Sequence, residues 1–174
     1  MFFGFNRPDK KNQPLIKIDW TPVDWILEGL TIIGLLTLLG AVIYYFPRLP
    51  ETIPSHFNGS GQPDEYESKS FFWVLPAISV FLYILLTLIN LIPHKFNYPV
   101  TITPQNAIKQ YTMGTRLIRY IKMILVWMFF YINWAVIQSA NHPGQGLGLW
   151  FMPVFLAVIF IPITVYFFMS YKKS

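Results

Sequence analysis

No cysteine occurs anywhere in the 174 residues, which excludes a disulfide framework, a thiolate metal site and a cysteine nucleophile. Charge is scarce too. Only 12% of residues are Asp, Glu, Lys or Arg, half of what a soluble domain carries. Ionisable side chains are almost missing from the long apolar stretches, a poor inventory for a charge-coupled transporter. There is no His-Glu-x-x-His pair and no dense ligand cluster. Ser55-His56 are chain neighbours without an identifiable acid partner, so no hydrolytic triad is legible. These absences argue against a soluble enzyme, a nucleic-acid-binding module and a disordered chain; they suggest no enzyme, no cofactor and no nucleic-acid partner.

What is abundant is apolar: 54% of residues are hydrophobic and 18% aromatic. They fall into four blocks of about 22 residues, or about 33 Å of helix, enough to cross a bilayer. The predicted spans are 25–46, 71–92, 117–138 and 147–169. The first is too long for a cleaved signal peptide and reads as a permanent helix. The fold class expected is an all-α integral membrane protein with four transmembrane helices. It comprises an N-terminal segment 1–24, one membrane domain 25–170 and a tail 171–174. Thr103-Pro104 reads as the start of a partly amphipathic helix that lies at the membrane surface or projects from it and then feeds the third span, with Ala107, Ile108, Tyr111, Thr115, Ile118 and Ile121 or Lys122 near one stripe. Gly34 and Gly40 suit close helix contact, Pro76, Pro153 and Pro162 suit kinks, and Arg119 and Lys122 are placed to snorkel toward headgroups.

Basic residues are unevenly divided. Arg7, Lys10, Lys11, Lys17, Lys95, Lys109, Arg116, Arg119, Lys122, Lys172 and Lys173 share one side of the four spans, against Arg48 and Lys69 on the other. Basic loops stay in the cytoplasm, so both termini and the middle loop are expected inside. The net charge of +5 then needs only anionic lipid as its partner. His56 and His142 fall outside and His94 inside, so the three histidines cannot share a site. A looser outer-face set of His56, Asp64, Glu65, Glu67 and His142 is the one metal-like grouping that this topology leaves.

The loop FPRLPETIPSHFNGSGQPDEYESKSFF is long for a connection and carries the marks of order. Pro50 and Pro54 restrict the chain, Asn58-Gly59 and Gly61 tolerate positive φ, and Pro63-Asp64 signals a turn. Ile53 and Phe57 supply apolar anchors, and Lys69 is placed to pair with Asp64 or a lipid phosphate. Four acids against two bases leave the loop at −2, favouring a cationic partner. Candidate binding or loop-organising residues are Pro54, His56, Phe57, Asn58, Gly61, Pro63, Asp64 and Lys69.

At Leu49-Pro50, Ile53-Pro54, His56-Phe57-Asn58, Gly61, Pro63-Asp64 and Lys69 the sequence closely resembles domain-of-unknown-function family 1648. That family is a bacterial membrane module, found also at the N-terminus of immunity proteins against the sporulation-delaying toxin. The resemblance implies a fold and a bacterial inner-membrane setting rather than a reaction. The expected function is therefore a non-enzymatic binding, accessory or immunity-like protein, with a protein or peptide partner at the outer loop. A small transporter or ion-binding membrane protein is the alternative, and a membrane enzyme with an outer-face His/acid site the second.

Overall fold

Thr21-Pro22 opens the first helix. Proline at the first helical position loses no bond, and the Thr21 backbone N–H and hydroxyl both donate to the Asp24 carboxylate, at 2.9 and 2.6 Å. In the computed structural model, which describes residues 13–142 and 144–172, helix α1 runs Pro22–Tyr45. Antiparallel strands β1 (Thr52–Phe57) and β2 (Pro63–Ser68) follow, then α2 (Val74–Ile89), α3 (Ala107–Asn141) and α4 (Phe151–Lys172). Among the described residues four helices, counted with their flanking 3₁₀ turns, are long and apolar enough to cross a membrane: Pro22–Arg48, Lys69–Ile89, Ala107–Asn141 and Phe151–Lys172. The fold is therefore the expected four-span helical protein, with one small two-stranded sheet added between the first two spans.

Helix α3 is the axis, packing against α1, α2 and α4 in turn. Its buried face is layered. Nearest the hairpin, Leu38 and Val42 of α1, Ile53 of β1 and Phe72 close on Phe129, Val136 and Ile137. At the opposite end Tyr98, Val100 and Ile102 close on Ala107 and Tyr111, and the Tyr111 hydroxyl donates to the Pro14 carbonyl at 3.1 Å. The layer between holds charges. The outer faces of α1, α2 and α4 stay apolar and exposed, as lipid requires.

Several local expectations shift. The third helix is one continuous element from Ala107, so the surface segment and the third span are the same helix. Pro104 begins only a turn; the Thr103 carbonyl accepts from the Asn106 and Ala107 N–H groups at 3.2 and 2.9 Å, and α3 starts after it. Gln110 is buried where Ile108 was expected, because the inward stripe runs 107, 110, 111, 114, 115 and Ile108 faces out. Pro76 and Pro153 sit in first turns, where a missing N–H is harmless, leaving Pro162 as the interior proline. At Gly34 an added Cβ would meet the Trp127 ring at 3.0 Å, whereas Gly40 faces open space, so α1 approaches α3 through Gly34 alone of that pair. Arg7, Lys10, Lys11 and Lys173, counted in the charge asymmetry, lie outside the described residues.

Candidate functional site

The hairpin begins with a burial pattern. Ile53 and Pro54 are both buried, which a regular strand would not allow for neighbours on one face; irregular register after Pro54 turns the strand. Ile53 is thereby sunk against α3, and a cavity of about 290 Å³ opens beneath β1, lined by Pro54, His56 and Phe57 with Phe72, Asn133, Val136 and Phe151. Phe57 packs on the rim of the same apolar layer.

The turn is held by Asn58 and Gly61. The Asn58 side-chain oxygen accepts from the N–H groups of Ser60 and Gln62 at 2.9 and 3.1 Å, and the Gly61 N–H donates to the Asn58 carbonyl at 2.8 Å. Gly61 has φ +76°, and a Cβ there would lie 2.6 Å from the Gly148 carbonyl oxygen. Only glycine fits. The reason for the close approach is a bond in the other direction: the Leu147 N–H donates to the Gly61 carbonyl at 2.7 Å. The Tyr131 hydroxyl in turn donates to the Leu147 carbonyl at 2.9 Å, so the hairpin tip, the α3–α4 connection and α3 are tied in series.

Charges fix the two sides. The Nδ1 of His56 donates to Asp64 Oδ1 at 2.6 Å across the strands, and that bond, with the neighbouring carboxylate charge, raises the His56 pKa above its ordinary value. Lys69 does not reach Asp64. Its Nζ donates to Glu51 at 2.6 Å, and the Lys69 N–H donates to the Glu51 carbonyl at 2.9 Å, closing the hairpin's open end. Asp64 is thus held by His56 instead of the expected Lys69, which turns to Glu51. Pro63 is half-buried opposite Phe57, while Asp64, Glu65, Tyr66, Glu67 and Ser68 are exposed along β2.

The eight sequence-derived residues are therefore gathered in one hairpin. Pro54 and Phe57 anchor it, Asn58, Gly61 and Pro63 shape its tip, and His56, Asp64 and Lys69 brace it. The looser His/acid set does not converge: among the described residues no three of His, Asp and Glu come together to hold a metal ion.

A second cluster, in the helices, went unrecognised. Lys122 is 1% exposed rather than snorkelling, and its Nζ donates to both Glu28 oxygens at 2.8 Å and to Thr87 Oγ1 at 2.9 Å. The Tyr83 hydroxyl donates to Glu28 at 3.0 Å, so α1, α2 and α3 meet on one carboxylate. One turn away, Arg119 donates to Asp24 at 3.2 Å, and its guanidinium lies 4.4 Å from the Trp20 ring centre. The signal was present: Asp24 and Glu28 are four apart on α1, Arg119 and Lys122 three apart on α3, each pair on one helix face.

Residues 32–80, from mid-α1 through the hairpin into α2, match the family described as Domain of unknown function (DUF1648). An uncharacterized protein of Archaeoglobus fulgidus is 28% identical over 146 residues, covering 73% of this chain and 79% of its own. No solved structure matches. The segment that builds the hairpin and its two flanking helices is thus the part of the chain that is similar to the DUF1648 family.

Proposed function

We propose that this protein is a non-enzymatic binding or accessory protein of a cytoplasmic membrane, with both termini in the cytoplasm and the hairpin outside. It acts by offering the hairpin to a protein or peptide partner. The observation that carries this is the contrast between the two strands. β1 is anchored to the helical core by its buried Ile53 and Pro54, whereas β2 is exposed from Asp64 to Ser68, with its outward backbone edge unpaired among the described residues. An edge strand on a rigid mount can add an extended segment by backbone pairing. Glu65 and Glu67 alongside it favour a cationic one. The basic residues at the opposite end support the orientation. An immunity-like role, capturing a peptide before it reaches the bilayer, is one form of such binding.

A photocrosslinking side chain in place of Tyr66 tests this in whole cells. The expected result is one recurrent protein or peptide adduct, lost when Glu65 and Glu67 are both changed to Lys. Adducts no different from those formed from Ile108, at the far end of the fold, would contradict it.

The buried carboxylates Asp24 and Glu28 favour a second reading, ion or proton transport. Both are saturated by fixed cations and hydroxyls, which leaves neither a vacancy to load. Proton or cation flux in proteoliposomes above empty vesicles, abolished by Glu28→Gln, would establish transport over binding.

A further inference from the structure

The charged layer does not balance. α1 contributes two carboxylates, Asp24 and Glu28, and α3 contributes three cations, Arg116, Arg119 and Lys122. Arg119 and Lys122 are buried on the two acids, but the Arg116 side chain is 37% exposed. Its polar contacts among the described residues are a long one from Nε to Asp24 at 3.5 Å and one from Nη2 to Thr21 Oγ1 at 3.0 Å. The surplus positive charge of the layer is therefore carried by a guanidinium with donors to spare.

Arg116 also forms the wall of a groove. A cavity of about 340 Å³ runs between α1, α3 and α4, lined beside Arg116 by Leu27, Leu117, Tyr120, Val165 and Tyr166. Apart from the guanidinium its walls are apolar or aromatic, and it lies where α4 leans on α3 without closing on α1.

We propose that this groove is a binding site for an anionic phospholipid, one acyl chain lying between α1, α3 and α4 and the headgroup phosphate on Arg116. Arginine suits a phosphate because its planar fork presents parallel N–H donors, and the layer's excess charge selects an anionic headgroup over a zwitterionic one. The site lies at the opposite end of the helices from the hairpin, and it stands whether or not the hairpin binds a partner.

The full chain in nonionic detergent micelles, unfolded by heat and followed by tryptophan fluorescence, tests the site. Phosphatidylglycerol added to the micelles should raise Tm saturably, by roughly 5 °C. Phosphatidylcholine and inorganic phosphate, the zwitterionic lipid and the free anion, should leave it unmoved. Arg116→Gln should abolish the shift. Because Arg116 also steadies Asp24 and Thr21, Val165→Trp provides the independent arm: it fills the groove, leaves every charge in place, and should abolish the shift as well. Equal responses to the two lipids would overturn the proposal, as would a shift that survives both substitutions. A Tm that depends on protein concentration and not on phosphatidylglycerol would also overturn it, assigning the groove to a second copy of the chain.

Discussion

Gly61 and His56 show how single side chains set the hairpin's geometry. With φ +76° and the Gly148 carbonyl where a Cβ would go, Gly61→Ala should cost roughly 1–3 kcal/mol. Gly59→Ala, which meets nothing within 4 Å, should be close to neutral, and thermal unfolding of the two variants side by side checks the contrast. His56 carries a pH dependence of definite sign. Asp64 raises its folded pKa above the usual value of about 6.5. The stabilisation is then complete below that value and fades as pH rises through the higher folded one. An NMR titration of the ring should show the elevated pKa in the unaltered chain and a return toward the ordinary value in Asp64→Asn. Lys122 is the third case. Lys122→Ala leaves Glu28 buried and unpaired, an expected loss of about 3–5 kcal/mol, whereas Lys122→Met with Glu28→Leu should recover most of it. A double variant no more stable than the single one would mean that the pair itself, rather than the avoidance of a lone charge, stabilises the helices.

Secondary elements were legible to different degrees, for physical reasons. The four spans follow from apolar length, which is local information; three emerge within four residues of their sequence bounds, whereas the third helix begins ten residues before its bound, at Ala107. The order of the outer loop followed from Pro50, Asn58, Gly61 and Pro63; its strands did not, because β2 (PDEYES) has no apolar face and owes its conformation to pairing with β1. Gly148 and Leu147 were invisible for a similar reason: what makes them matter is Gly61, some 86 residues away along the chain. Arg119 and Lys122 were misplaced because a cation near a span's end reads as snorkelling until the facing helix is known. Ile53 is the hairpin's apolar anchor, so Ile53→Ala should cost roughly 2–4 kcal/mol. It should also speed hydrogen exchange at β1 and β2 amides more than in α3. Uniform acceleration throughout would show that the hairpin opens only with the whole fold.

At the scale of the whole molecule the two ends differ in kind. One end displays the acidic hairpin, braced by Gly61–Leu147 and His56–Asp64; the half of the fold toward the opposite end carries Lys17, Lys95, Lys109, Arg116 and Lys172. A bilayer distinguishes such ends, and the proposed binding role depends on which end faces out. Single cysteines at Ser60, on the hairpin turn, and at Gln105, before α3, can be labelled in intact cells with a maleimide too polar to cross lipid; the chain's lack of native cysteine keeps the background low. The account predicts that Ser60→Cys labels at once and that Gln105→Cys labels only after the cells are lysed. Labelling of Gln105→Cys in intact cells, with Ser60→Cys protected until lysis, would contradict it.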